Sequence, residues 1–235
     1  MAIAILFLVF LGLLIMGVPV AFSLFTASLA TLVYLGLPAI VVAQETATGA
    51  ASASLLAIPL FIFAGEIMLR GGISERLIGL ASSLVGHVRG GLGQVSVLSS
   101  LFFGGVSGSA IADVSAVGGA MIPQMVKRGF DRDFAVNVTM TAALVALLVP
   151  PSHNLILYSA SAGGSISIAD LFAAGIFPAL LMTLTLMATT YVIAKRRGYV
   201  VEMFPGFGVV LRRFVSALPG LLLVALIFVG IKAGI

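Results

Sequence analysis

The sequence predicts an all-α integral membrane protein of the polytopic kind, and three observations carry that reading. Of 235 residues, 61% are hydrophobic and only 9% charged, whereas soluble domains carry about 25% charged residues. Apolar segments near the length that crosses ~30 Å of hydrocarbon recur along the chain. Eleven of the twelve Lys and Arg residues fall in three short loops between those segments, as topology-setting charges do. The same composition excludes other classes. With no cysteine and only His87 and His153, disulfides, thiolate chemistry and metal-enzyme sites lose their ligands. The net charge of +4 is spread over loops rather than along one polar face, so no nucleic-acid partner is expected. No basic stretch precedes the apolar start, so a cleaved signal peptide is a poor reading of the N-terminus.

Residues 1–36 carry no charge and are broken by "GVP" at Gly17–Pro19, so they form either one kinked span or two short ones. Residues 54–69 follow, entered after Glu45 and closed by Arg70. Glu66 stands at (i, i+4) spacing from Arg70, which predicts an ion pair at the membrane edge. A connector with Arg70, Arg76 and Arg89 then leads to residues 92–126, where Asp113 is the only charge. If the three basic loops are all cytoplasmic, this stretch must enter and leave on one side, which makes it a re-entrant hairpin. Its arms, 92–103 and 111–126, would measure ~18 and ~24 Å, with the turn near residues 104–110. Two short full crossings would keep the same loops and remain open. Residues 134–162 then cross once, interrupted by "VPPSHN"; residues 171–194 return, and the last span begins at Phe214.

Two polar breaks fall at membrane depth, where irregular backbone persists only inside protein or around a solvated cavity. In "FFGGVSGSAIAD", residues 102–113, Gly104, Gly105 and Gly108 permit positive φ and close approach. Ser107 and Ser109 add hydroxyl oxygens, and the second arm offers its N-terminus. In "VPPSHN", Pro150 and Pro151 unwind the helix, and Ser152 and Asn154 bring side-chain oxygens beside released carbonyls. Oxygen-rich sites of this kind suit a hard cation such as Na⁺, and paired discontinuous elements are how many secondary transporters bind substrate and ion. A carboxylate at this depth is costly, so Asp113 is expected to support the tip or its ligand. His153 is either a proton carrier or a side chain bonded to a neighbouring carbonyl. An intramembrane hydrolase would need a second acidic or serine–histidine partner for Asp113 or Ser109, and no such pattern stands out, so no catalytic residue is assigned.

Three stretches, "IPLFIFAGEIMLRGGISERLIGLASSLVGHVRGGLG" (58–93), "FGGVSGSAIADVSAVGGAMIPQMVKRGFDRDFA" (103–135) and "PPSHNLILYSASAGGSISIADLFAAGIFPALL" (150–181), resemble the large membrane subunit of tripartite ATP-independent periplasmic (TRAP) transporters, a DctM-like permease. The resemblance implies a multi-pass protein of the bacterial inner membrane, not an enzyme. It implies Na⁺-coupled import of small organic anions, such as C4-dicarboxylates or sialic acid, by an elevator mechanism. Na⁺ would be the coupling ion, with no other metal and no cofactor. Its partners would be a small four-helix membrane subunit, a periplasmic substrate-binding protein and the membrane lipid. By motif, Ser107, Gly108, Ser109, Pro150, Pro151 and Ser152 would form a cation site, with Ala110, Asp113, His153 and Asn154 near the substrate or behind the site. The "HN" after "PPS" departs from the apolar pair common in the family, which leaves the substrate open. The chain would provide scaffold spans and an amphipathic connector (1–90), the hairpin (91–133), the discontinuous helix and following span (134–194), and a loop with the first span of a second repeat (195–235). The family subunit is an inverted repeat about twice this length, so the chain would need its C-terminal half to transport. A carrier of the wider ion-transporter superfamily, working without a binding protein, is the alternative.

Overall fold

The computed structural model describes residues 1–38, 40–51, 53–162, 166–199, 201 and 203–233, and these are helical with short connections. The contacts divide the chain into two compact units, Met1–Leu56 and Ala57–Ile235.

In the first unit, residues 1–36 resolve into two helices rather than one. α1 (Ala2–Ile15) and α2 (Val20–Tyr34) pack along each other. The break is a helix-ending motif written in the sequence. The Val18 amide donates to the Leu13 carbonyl and the Gly17 amide to that of Leu14, with Gly17 at φ +81°. Glycine takes the left-handed position, and Pro19 prevents resumption in the same direction. "GLP" at Gly36–Pro38 repeats the device at the end of α2. A third helix, α3, spans Ile40–Ala50.

The second unit is built around one buried helix. α4 (Ala53–Arg70), which enters this unit at Ala57, turns by 70° into α5 (Ile73–Val85), the amphipathic connector, whose Leu77, Leu80 and Ala81 face inward. α6 (Gly91–Ser107) follows and touches α5, α9 (Arg132–Ala143) and α11 (Ile168–Arg196). Almost every α6 residue is buried. Its small side chains make that possible, because glycine and serine let neighbouring backbones approach closely. A methyl on Gly93 would stand 2.9 Å from Thr190 Cγ2, and one on Gly104 would stand 2.6 Å from the Ala146 Cα. Gln94, buried among apolar neighbours, donates from Nε2 to the Met187 carbonyl of α11 at 2.9 Å.

The chain then reverses through α7 (Ala110–Asp113), a π-helical segment at Val114–Gly118 and α8 (Gly119–Lys127). α8 returns along α6 and α9, and Phe103, Val117, Met121, Met125, Phe130 and Phe134 fill the space between the arms. α11 is one unbroken helix of 29 residues, ~44 Å long. α12 (Phe207–Ala233) has 27 residues, and both helices are long and apolar enough to cross a membrane. A methyl on Gly220 of α12 would stand 2.6 Å from Ile73 Cγ2, and one on Gly79 would stand 3.2 Å from Arg213 Nη1. Rising numbers on α12 meet falling numbers on α5, so the two helices run antiparallel. The expected external loop after residue 162 lies partly outside the described residues.

One polar clasp holds the loop after α8 to the loop after α11. The Asp131 carboxylate accepts from Tyr199 Oη at 2.7 Å and from Arg197 Nη1, and the Asp131 amide donates to Tyr199 Oη at 3.2 Å. Tyr199 packs on Phe130 at 4.4 Å between centroids, and the Arg197 guanidinium lies 5.8 Å from the Phe134 centroid. The Tyr199 hydrogen bond, then Arg197, hold the Asp131 carboxyl below its ordinary range. A depressed carboxylate stabilises the fold above its unfolded pKa of 3.8 and loses that contribution as pH falls through the folded value. We therefore expect Asp131→Asn to lower the melting temperature of the detergent-solubilised protein slightly at neutral pH. The difference from wild type should vanish in acid; a gap unchanged down to pH ~3 would refute the linkage.

Candidate functional site

The two breaks predicted from the sequence lie against each other. α6 continues to Ser107, four residues beyond its expected end, so the turn shrinks to Gly108 and Ser109. Gly108 is the only residue of the tip with positive φ, +56°. Gly104 and Gly105 are helical and serve close packing, against Ala146 and against Val224, so of the two uses expected of these glycines they take close approach while Gly108 takes positive φ. The Gly108 amide donates to the Gly104 carbonyl at 2.9 Å, closing α6. Ser109 is extended and caps α7, its Oγ accepting from the Ala112 amide at 3.4 Å. Ser107 Oγ stands 3.4 Å from both the amide nitrogen and the carbonyl oxygen of Ser109. The tip hydroxyls are thus held by long local contacts.

The second break begins earlier than its prolines. α9 tightens into a 3₁₀ turn at Leu144–Leu147 before the cis Pro150–Pro151 bond and α10 (His153–Ser161). In a continuous helix the amides of residues 150 and 151 would satisfy the carbonyls of Ala146 and Leu147, and proline has none. Ser152 supplies one replacement: its Oγ donates to the Leu147 carbonyl at 2.5 Å. This explains a hydroxyl beside the proline pair, and its lone pairs remain as acceptors. The Leu148 carbonyl turns towards α11 at Gly175, where a methyl would come within 2.6 Å of it.

Gly108 joins the two breaks. A methyl there would lie 2.1 Å from the Pro151 carbonyl oxygen and 3.2 Å from the Ser152 Cα, and one on Gly105 would lie 3.4 Å from the Pro150 carbonyl oxygen. Six residues predicted as a group, Ser107 to Ser109 and Pro150 to Ser152, therefore converge. The donors they offer are hydroxyl and carbonyl oxygens. Beside them Ser107, Ser109, Ala112 and His153 line a cavity of about 190 Å³, closed on the α4 side by Ile62, Gly65, Glu66 and Leu69. Gly65 admits the tip, since a methyl there would stand 3.2 Å from the Val106 carbonyl oxygen.

The remaining predicted residues divide. Ala110 begins α7 next to the tip. His153 lines the cavity, and its buried Nε2 has no partner among the described residues. Asn154 is exposed and does not line this cavity. Asp113 is fully buried and turned away from the cavity, into the gap between the hairpin arms. Its Oδ2 accepts from Ser100 Oγ at 2.7 Å, while Oδ1 has no partner among the described residues. The Glu66–Arg70 ion pair forms at 2.8 Å as its spacing predicts, although Glu66 also borders the cavity.

The sequence matches the family described as tripartite ATP-independent periplasmic transporter, DctM component, over residues 7–235. The chain belongs to this family. It is 37% identical over 237 residues to the C4-dicarboxylate TRAP transporter large permease protein DctM of Vibrio cholerae, covering 100% of this chain and 52% of that protein. It is 42% identical over 190 residues to the sialic acid large permease SiaM of the same organism, covering 80% and 44%. It is 36% identical over 233 residues to the 2,3-diketo-L-gulonate large permease YiaN of Escherichia coli, covering 97% and 54%. The chain spans about half the length of the curated relatives it matches. As a DctM-family chain it is a multi-pass protein of the bacterial inner membrane.

Sequence reasoning missed Ser100, Gly65 and the π-helical segment. Ser100 had a signal: Ser96, Ser99 and Ser100 recur at helical spacing in an apolar run. Ser96 bonds Thr139 on α9 at 3.0 Å and Ser100 bonds Asp113, so this stripe ties α6 to two neighbours. Val114–Gly118 had none, because no local side-chain pattern marks one extra residue in a helical turn.

Proposed function

We propose that this chain provides one ion-binding half of the large permease subunit of a Na⁺-coupled, binding-protein-dependent secondary transporter that imports small organic anions. The observation that carries the reading is the abutment of Gly108 on the Pro151 carbonyl. It gathers hydroxyl and carbonyl oxygens from two broken helices beside a cavity, the arrangement that secondary transporters use around a bound ion. Ser107, Gly108, Ser109, Pro150, Pro151 and Ser152 hold the cation, whose oxygen ligands match its hardness. Ala110 and His153 face the substrate, with Asn154 at its margin and Asp113 behind the site. The hairpin, residues 91–133, is re-entrant and moves with the discontinuous helix and span of residues 134–194 as an elevator. Residues 1–90 act as scaffold, and residues 195–235 lead into a second repeat. The partners are the rest of the large subunit, a small four-helix membrane subunit and a periplasmic substrate-binding protein. No part of the site does covalent chemistry.

The test measures Na⁺ directly, since the transported anion is chosen in part by the binding protein. In the full-length subunit, Ser109→Ala and Ser107→Ala are expected to remove one oxygen ligand each and raise the Na⁺ concentration giving half-maximal thermal stabilisation. A shift of about tenfold corresponds to the ~1.4 kcal/mol of one good oxygen contact. Uptake of a C4-dicarboxylate or sialic acid by reconstituted protein should follow the same shift. Unchanged Na⁺ dependence in both variants at normal expression would remove the site from these residues.

A further inference from the structure

A second site lies away from the hairpin tip, where the start of α12 crosses α5. Arg212 and Arg213 have no ion pair or hydrogen bond among the described residues. Arg213 lies over the glycine face of α5, its Nη1 3.2 Å and its Cζ 3.6 Å from where a Gly79 methyl would be. A cavity of about 190 Å³ opens on one side of it, lined by Ser82, Ser83, His87 and Pro205 among others. A second, of about 320 Å³, is lined by Val209, Arg212, Arg213 and Ser216. Between them these cavities collect two guanidinium groups, three hydroxyls and the buried, unpartnered Nδ1 of His87. Neither cavity is lined by a described carboxylate. The arginines are also set among apolar side chains turned outward: Phe207 is 85% exposed, Leu211 65% and Val215 59%. α12 is one of the helices able to span the membrane, and α5 is amphipathic. The cluster therefore lies near the N-terminal end of a helix able to span the membrane, with apolar surface on one side and polar cavities on the other.

We propose that Arg212 and Arg213, with the cavities flanking Arg213, bind the phosphate of an anionic phospholipid headgroup at the membrane surface. Guanidinium forks match phosphate oxygens. Ser82, Ser216 and His87 supply further polar contacts for a headgroup, and Phe207, Leu211 and Val215 receive the acyl chains. A free phosphate ion would use the same guanidinium groups but gain nothing from that apolar rim. The lipid pins the contact between α5 and the start of α12 and fixes the depth at which α12 enters the bilayer.

The experiment uses the full-length subunit in neutral detergent, titrated with phosphatidylglycerol and followed by native mass spectrometry. Wild type is expected to retain a phosphatidylglycerol that the Arg212→Ala/Arg213→Ala variant holds about thirtyfold more weakly, at roughly fivefold per arginine. Phosphatidylethanolamine should bind weakly to both proteins. Arg132→Ala, which removes a basic residue outside the cavities, should bind as wild type does. A large excess of inorganic phosphate should not displace the lipid. If the double variant fails to fold, Gly79→Ala serves instead. Its methyl lifts the Arg213 guanidinium from α5 without removing charge, and weaker retention is again expected. Equal retention by wild type and the folded arginine variant, or by Gly79→Ala in its place, would overturn the proposal. So would displacement by inorganic phosphate, which would make the site one for a soluble anion.

Discussion

Gly108→Ala should abolish Na⁺-dependent uptake by the full-length transporter while leaving the protein in the membrane. Two costs add at this residue. Its φ of +56° lies in the left-handed region, where a side chain costs about 1–2 kcal/mol. Its methyl would also stand 2.1 Å from the Pro151 carbonyl oxygen, a backbone atom that cannot rotate away. Overpacking of that kind costs about 1–3 kcal/mol more. The tip can relieve the clash only by withdrawing from the broken helix, which separates Ser107 and Ser109 from Ser152. We expect a loss of about 2–5 kcal/mol in stability and no measurable Na⁺ stabilisation. Gly105→Ala should be milder, because its backbone is already helical and its closest contacts, the Val224 methyls at 3.0 and 3.2 Å, are less tight than the 2.1 Å at Gly108. Gly119→Ala should be silent, with nothing within 4 Å of the added methyl. Wild-type Na⁺ dependence in Gly108→Ala would mean that contact between the two breaks is not needed for the ion.

The graded glycine series shows where sequence reasoning stops. That "GGVSGSA" and "VPPS" interrupt their helices follows from the run of small residues and from proline's missing amide, and both interruptions are present. Which glycine turns the chain does not follow, because Gly104, Gly105 and Gly108 are chemically the same. Only the neighbours Ala146, Val224 and Pro151 separate two packing glycines from the one turn glycine. The same limit applies to side-chain direction. His153 and Asn154 are adjacent, and the resemblance places both near the substrate or behind the site. The first turn of α10 places His153 at the cavity and leaves Asn154 exposed. The break after α1 is legible for the opposite reason. Gly17 ends the helix through local bonds to the preceding turn, as Gly36 does at the end of α2. Long-range partners decide the tip, and local hydrogen bonds decide these ends.

Asp113 separates a purely mechanical role from an electrostatic one, and the two make different predictions. Its Oδ2 ties α7 to Ser100 on the opposite arm at 2.7 Å, and its amide donates to the Ser109 carbonyl at 3.0 Å. The clasp therefore sits one turn behind the tip and fixes the spacing of the arms that present Ser107 and Ser109. Asp113→Ala leaves the buried Ser100 hydroxyl without its acceptor and should cost about 1.5–3 kcal/mol. Ser100→Ala should cost at least as much, because it leaves the buried Asp113 carboxyl with neither oxygen paired among the described residues. The double variant should cost little more than Asp113→Ala alone, because both remove the same bond. Asp113→Asn keeps an acceptor for Ser100, so it should melt close to wild type. If the clasp acts by holding the arms, the Na⁺ requirement for uptake should rise several-fold in Asp113→Ala and Ser100→Ala and stay near wild type in Asp113→Asn. A folded Asp113→Asn variant whose Na⁺ requirement rises as far as that of Asp113→Ala would refute the mechanical account. The carboxylate charge would then be what the cation senses across the tip.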